Sequence, residues 1–218
     1  GVGLDNIDQA AAKEKNIRVI NAVEGAMNAV AELVIGLMLS LAREIPRADR
    51  EVRNGNWIKK ELMGTELRGK YLGIVGLGNI GKRLGRLARA LNMNIIGYDV
   101  VPIDEEFSSE VGLMKADLGT LLASSDYVSL HVPLLDSTKH LINAEKMSTM
   151  KNTSRIINTS RGGVIDEEAL YEFLKDGKLG GAALDVFEVE PATSNKLASL
   201  PNFISTPHMG AQTKEAQS

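Results

Sequence analysis

The sequence predicts an α/β fold, a doubly wound parallel sheet with helices on both faces, and two observations carry that prediction. The first is alternation: strand-like apolar runs and helical patterns follow one another through the middle of the chain, which builds parallel sheets through crossover connections. The second is the junction at which the alternation begins. Lys70-Tyr71-Leu72-Gly73-Ile74-Val75 is apolar with β character and runs directly into Gly76-Leu77-Gly78-Asn79-Ile80-Gly81. A helical pattern (Ile80, Leu84, Leu87, Ala88, Leu91) starts inside those glycines, so the segment reads as strand, tight turn and helix.

Residues 1–20 carry three small elements: a strand tail with its loop at Gly1-Val2-Gly3-Leu4-Asp5, a short helix over 7–14, and a strand over 17–20. Too little apolar surface is present there for a separate core, so 1–20 reads as the trailing edge of another domain. Over 26–45 apolar residues crowd almost every face, with Val30, Leu33, Val34, Leu37, Met38 and Leu41 on one side and Ala31, Ile35 and Leu39 on another. A helix of that kind is expected to be buried all round, here in part against a second subunit. Pro46 marks a break or restart, a more polar helix runs to the turn Asn54-Gly55-Asn56, and Trp57 follows as an anchor on a partner.

After the glycine segment, Asn94-Ile95-Ile96-Gly97-Tyr98 is a second strand ending in Asp99. Residues 101–115 form an insertion with no clear period, and 118–123 a short helix. Tyr127-Val128-Ser129-Leu130-His131-Val132 is a strand stopped by Pro133. A helix over 143–150 has Asn143 as its cap, and Arg155-Ile156-Ile157-Asn158-Thr159 is a strand followed by Ser160-Arg161-Gly162-Gly163. A helix over 166–175 is capped by Asp166 and stopped by Gly177. The last two strands are Gly181-Ala182-Ala183-Leu184-Asp185-Val186-Phe187 and Phe203-Ile204-Ser205-Thr206, the latter leading to Pro207-His208.

Composition narrows the function. A hydrophobic fraction of 44% in 218 residues supports a real core, and a net charge of −3 leaves no basic footprint for nucleic acid. No apolar run is expected to span a membrane, and the start lacks a signal-peptide layout, which fits a cytoplasmic protein. With no cysteine there is no disulfide, no thiol nucleophile and no cysteine-based metal site.

The glycine spacing carries the first chemistry. Gly76 would permit the turn, Gly78 would let the backbone approach a pyrophosphate, and Gly81 would let the helix pack on its strand, while the helix N-terminus offers N–H groups to the phosphates. Asp99 lies where a dinucleotide fold places the acid that accepts the ribose hydroxyls. Val100, Val101 and Pro102 follow it with no cation for a 2′-phosphate, which favours NAD over NADP. Ligands collect at strand carboxyl ends in such sheets, so Asp99, His131, Arg161, Asp185, Glu190 and His208 are expected to converge on one crevice. Hydride transfer from a secondary alcohol needs a base and a cation for the substrate carboxylate. Arg161 suits the cation, His208 the base, and Glu190, if hydrogen-bonded to His208, would fix its orientation. His131 reads as a strand-end residue beside the cofactor, and His140 as structural.

Five segments carry a family resemblance over nearly the whole chain: Gly76-Leu77-Gly78-Asn79-Ile80-Gly81, His131-Val132-Pro133-Leu134, Asn158-Thr159-Ser160-Arg161-Gly162-Gly163, Leu184-Asp185-Val186-Phe187-Glu188-Val189-Glu190-Pro191 and Thr206-Pro207-His208-Met209-Gly210. In this order and spacing they resemble the D-isomer-specific 2-hydroxyacid dehydrogenases. The resemblance implies Arg161 as substrate-carboxylate binder, Glu190 as partner acid and His208 as acid/base. It implies Asn79 and Ile80 at the pyrophosphate and Asp99 at the adenosine ribose. Around the nicotinamide half it implies Val132, Thr159, Arg161, Asp185, His208 and Gly210, with His131, Pro133, Thr138 and Ser160 also in the cofactor site.

Within the family, the opening Gly1-Val2-Gly3-Leu4-Asp5-Asn6-Ile7-Asp8 and the tail from Gly210 look most like the phosphoglycerate dehydrogenases of the phosphorylated serine pathway. The implied layout is a Rossmann-type NAD-binding domain over 21–207 and a remnant of a flavodoxin-like substrate domain over 1–20. Residues 208–218 would start a helix returning to that domain, and a dimerisation helix and arm would occupy 26–60. The implied partners are a small 2-hydroxy or 2-keto acid and a second copy of the chain, in a homodimer or higher homo-oligomer. A piece of this extent is expected to bind NAD and turn over poorly.

Two other readings stand beside this one. Another enzyme of the family could act on lactate, glyoxylate or a branched 2-keto acid, whereas a formate dehydrogenase is disfavoured because Gln is expected at the position of Glu190. An NAD-sensing corepressor of the C-terminal-binding-protein type would keep the same three residues and bind peptides.

Overall fold

In the structure, a computed structural model that describes residues 7–19 and 23–217, the central feature is a seven-stranded, all-parallel sheet. Its strands are β1 (Tyr71–Val75), β2 (Asn94–Tyr98), β3 (Met114–Lys115), β4 (Tyr127–Leu130), β5 (Arg155–Asn158), β6 (Gly181–Leu184) and β7 (Phe203–Ser205). The spatial order β3-β2-β1-β4-β5-β6-β7 reverses direction between β1 and β4, which is where doubly wound sheets open a crevice. The helices are α1 (Gln9–Glu14), α2 (Val23–Arg43), α3 (Ile45–Arg53), α4 (Asn79–Ala90), α5 (Glu105–Val111), α6 (Leu118–Ser124), α7 (Ala144–Ser148), α8 (Glu167–Lys175) and α9 (Lys214–Gln217).

Strand alternation divides the interior into two cores. Leu72, Ile74, Ile95, Tyr127, Ile157 and Ala183 point to the face covered by α2, α4 and α5. Val75, Ile96, Val128, Leu130, Ile156 and Leu184 point to the face covered by α6, α7 and α8. Parallel strands buried on both faces explain why their sequences read as continuous apolar runs.

Several expectations change here. The strand tail at Gly1-Val2-Gly3-Leu4-Asp5 lies outside the described residues, and residues 17–19 of the strand expected over 17–20 are not in a strand. The stretch 101–115 is not a structureless insertion, because it holds α5 and the edge strand β3, which pairs with β2. Asp104 caps α5 by accepting from the Glu106 and Phe107 N–H groups, and Gly112 ends it at φ 64°. One buried pair, Phe107 and Val111, anchors this helix, too short a repeat to register as periodic.

Helix α2 is not buried all round. Ala31, Val34, Met38 and Ala42 are inside against α4 and the sheet, while Leu39 on the outer face is 38% exposed. Nor does the expectation that no apolar run reaches spanning length hold: Gly25–Arg43 has 19 residues of mean hydropathy 1.7 and is apolar enough to cross a membrane. Half of that stretch is buried inside the protein, because this one helix lies across β5, β6 and β7 as well as α4. Glu44, at φ 51°, turns the chain out of α2, and Pro46 opens α3 as the sequence implies. Trp57 is 81% exposed.

Candidate active site at the carboxyl edge of the sheet

The candidate residues follow consecutive strands along one edge, in the spatial order Asp99 (after β2), Gly76 (β1), His131 (β4), Arg161 (β5), Asp185 (β6) and His208 (β7). Two clusters result.

The first surrounds the switch point. Gly76 adopts φ 94°, and a Cβ there would come within 2.5 Å of the His131 carbonyl oxygen, so only glycine lets the turn lie against β4. A Cβ on Gly81 would lie 2.1 Å from the Gly76 carbonyl oxygen, which is the close helix-to-turn approach that its spacing predicts. At Gly78 a Cβ would meet nothing within 4 Å, and no side chain caps α4. The turn is therefore built around open space at a helix N-terminus whose first turn carries no acid.

Asp99 completes this cluster. Its Oδ2 accepts from the Leu77 N–H at 2.6 Å and its Oδ1 from the Val101 N–H at 3.1 Å, tying the end of β2 to the glycine turn. Asn79, the first residue of α4, is exposed, and Ile80 is half-buried. His131 lies across the turn with Nε2 2.9 Å from Ser129 Oγ, and desolvation lowers its pKa to about 4. A neutral imidazole in this position suits a wall of the crevice better than a base. Val132 packs on the core beneath, and Thr138 orders the loop after β4 by donating to the Pro133 carbonyl at 2.6 Å and accepting from the Leu135 N–H at 2.8 Å.

In the second cluster His208 Nδ1 lies 2.8 Å from Glu190 Oε2, and Glu190 Oε1 accepts from the Phe187 N–H at 3.0 Å. Both carboxylate oxygens are thus committed, and the pair is open to solvent, with side-chain exposures of 54% and 37%. A cavity of about 560 Å³ adjoins it, lined by Phe187, Glu190, Pro191, Thr193, Thr206 and His208 among others. Buried Asp185 accepts from the Thr206 hydroxyl at 2.6 Å, the Met209 N–H at 2.9 Å and the Gly210 N–H at 2.8 Å, so it shapes the loop carrying His208. Gly162 packs so closely that a Cβ would lie 1.8 Å from the Phe187 carbonyl oxygen, which brings the Arg161 loop against the Glu190 loop. Arg161 itself donates from Nη1 to the Ser160 carbonyl at 2.7 Å. Thr159 Oγ1 is buried with no hydrogen-bond partner among the described residues.

Sequence reasoning gave no role to three supports. Asn158 is buried at the end of β5 and bridges Ser160 and Arg161; an Asn two residues before a Ser is the available signal, as in an Asx turn. Thr206 reaches Asp185 across strands. The backbone N–H groups of Glu167 and Glu188 each donate to the other residue's carboxylate, and Glu188 Oε1 also lies 3.1 Å from His140 Nε2. Burial raises the Glu167 pKa.

Residues 35–210 match the family model described as D-isomer specific 2-hydroxyacid dehydrogenase, NAD binding domain. The chain belongs to this family. It is 50% identical over 218 residues to a D-3-phosphoglycerate dehydrogenase of Methanocaldococcus jannaschii, covering all of this chain and 41% of that protein. It is 51% identical over 220 residues to a hydroxypyruvate reductase of Thermotoga maritima, covering all of this chain and 71% of that protein. Among solved dehydrogenase structures, the D-lactate dehydrogenase of Aquifex aeolicus complexed with NAD and lactic acid superposes with a TM-score of 0.89 at 35% identity, covering all of this chain and 70% of that one. The 2-hydroxyacid dehydrogenase chain thus spans about two fifths of the length of the phosphoglycerate dehydrogenase relative. Its cofactor is NAD, and the glycine turn, the open helix N-terminus and Asp99 are compatible with that dinucleotide.

Proposed function

We propose that this chain is the nucleotide-binding and proton-transfer part of a dehydrogenase that moves a hydride between a D-2-hydroxy acid and nicotinamide. The substrate pair is 3-phosphoglycerate and 3-phosphohydroxypyruvate, at the entry to phosphorylated serine synthesis. The observation that carries the reading is the His208–Glu190 pair, held at the strand edge beside the Arg161 loop.

Bound NAD would supply the hydride acceptor. Gly76, Gly78, Asn79, Ile80 and Gly81 hold its pyrophosphate, and Asp99 its adenosine ribose. His131, Val132, Pro133, Thr138, Thr159, Ser160, Arg161, Asp185, His208 and Gly210 enclose the nicotinamide half. Arg161 binds the substrate carboxylate through its planar fork. With Nδ1 directed at Glu190, the neutral His208 has Nε2 as its available basic atom, which takes the hydroxyl proton in oxidation and returns it in reduction. Glu190, whose other oxygen is fixed by the Phe187 N–H, keeps that orientation, and its negative charge faces the imidazolium formed when His208 takes the proton.

Residues 1–20 and 208–218 belong to the boundary with a substrate domain, and 21–207 to the nucleotide domain. Leu39, Val52 and Trp57 are exposed and belong to the helix and arm of a homodimer, and the enzyme works in the cytoplasm. A hydroxypyruvate reductase is the second reading, favoured by the Thermotoga maritima relative. NADH oxidation by the full-length protein across phosphohydroxypyruvate, hydroxypyruvate, glyoxylate and pyruvate decides between them. Highest kcat/KM on phosphohydroxypyruvate supports the first reading, and absence of turnover on every acid leaves the peptide-binding alternative.

A further inference from the structure

The Arg161 loop of the second cluster rests on a side chain to which nothing above gives a chemical role. Asn158 ends β5 and is 1% exposed. Its Nδ2 donates to the Arg161 carbonyl at 2.9 Å, while its Oδ1 accepts from the Ser160 N–H at 3.0 Å and the Ser160 hydroxyl at 2.8 Å. The chemistry of these partners fixes the amide's orientation, because an N–H needs an acceptor and a carbonyl needs a donor. The consequence reaches the guanidinium. Arg161 Nη1 donates to the carbonyl of Ser160, the residue whose amide and hydroxyl Asn158 holds. Both the backbone of Arg161 and the carbonyl on which its side chain rests are therefore set by one buried amide.

We propose that Asn158 is the positioning residue for Arg161, setting the aim of the guanidinium toward the substrate carboxylate without touching substrate itself. The inference rests on the reading of Arg161 as the carboxylate binder. No isosteric residue can replace Asn here: aspartate keeps the acceptor for Ser160 but turns a carboxylate oxygen on the Arg161 carbonyl. A misplaced carboxylate binder costs substrate affinity and alignment, while the glycine turn after β1 is untouched.

The test uses the full-length protein and oxalate as a non-reacting carboxylate probe of the enzyme–NADH complex. Asn158→Asp and Asn158→Ala are expected to weaken oxalate binding and raise KM for the 2-keto acid by about tenfold or more, with a several-fold smaller loss of NADH affinity, since Ser160 and Arg161 also wall the nicotinamide site while the pyrophosphate turn is untouched. Unchanged oxalate affinity in a folded variant overturns the proposal, and so does a parallel loss of NADH and oxalate binding, which would mark general loosening. Arg161→Ala separates the layers: if it binds oxalate like wild type, the role of Arg161 itself falls, whereas loss there with retention in Asn158→Asp removes only the role of Asn158. Should both Asn158 variants fail to fold, amide hydrogen exchange on the wild type decides. Slow exchange at Ser160 N–H supports the bridge and fast exchange overturns it.

Discussion

His208 Nδ1 and Glu190 Oε2 lie 2.8 Å apart although 18 residues separate them in sequence, and a further carboxylate contact to the Phe187 N–H fixes the acid from behind. If this pair moves the substrate proton, His208→Ala in the full-length protein should lower kcat by about 10²- to 10⁴-fold with NADH binding retained. Glu190→Gln, which keeps an acceptor for Phe187 but loses the charge beside the imidazole, should cost less. Steady-state kinetics with NADH fluorescence titration checks both, and wild-type kcat in His208→Ala would remove the assignment.

The last two glycines of the turn should fail in opposite ways. Gly81→Ala drives a methyl group into the Gly76 carbonyl and is expected to destabilise the fold by about 1–3 kcal/mol. Gly78→Ala points its methyl into open space at φ −69°, so thermal stability should hold while NADH affinity drops. Thermal melts beside NADH titrations distinguish the pair.

Asp99 holds the turn through Leu77 N–H as well as facing the expected ribose position. Asp99→Asn retains an acceptor for that N–H but loses the charge that repels a 2′-phosphate. NADH affinity should fall and NADPH affinity rise, narrowing their ratio by about tenfold, consistent with the loss of about 1.5–3 kcal/mol for a charged hydrogen bond. An unaltered ratio would remove Asp99 from cofactor choice.

His131 predicts a pH signature in stability. Its folded pKa is lowered from 6.5 to about 4 by desolvation, so between those values the unfolded chain carries a proton that the folded chain does not. Stability therefore falls as pH drops through that window and is insensitive to this group above it. His131→Gln, placing an amide near Ser129 Oγ, should flatten the slope by up to about 1.4 kcal/mol per pH unit. Urea unfolding at about pH 5 and about pH 7.5 measures it.

The 218-residue chain on its own should bind NADH yet turn over poorly, because the His208–Glu190 pair stands open to water. Robust steady-state activity from this piece alone would contradict that.

Much of this was written in local pattern. The glycine spacing, the strands around it and the caps Asn143 and Asp166 were legible because tight turns, apolar runs and capped helix starts depend on neighbours a few residues away. The edge helix α5 and β3 were not, since seven residues and two residues hold too few periods to read. Nor could α2 be judged, because an apolar helix looks alike whether its outer face meets solvent, a second copy or a bilayer.

By itself the sequence determined the α/β alternation, the dinucleotide turn and the identity of the polar residues that end each strand, all properties of short-range steric and hydrogen-bonding rules. Tertiary structure alone decided which of them meet: that Glu190 faces His208, that Asp185 shapes the loop bearing that histidine, and that Asn158 anchors Arg161. The physical reason is that each contact is made between loops or at strand ends, and their relative placement is fixed by sheet order and packing density rather than by any spacing along the chain.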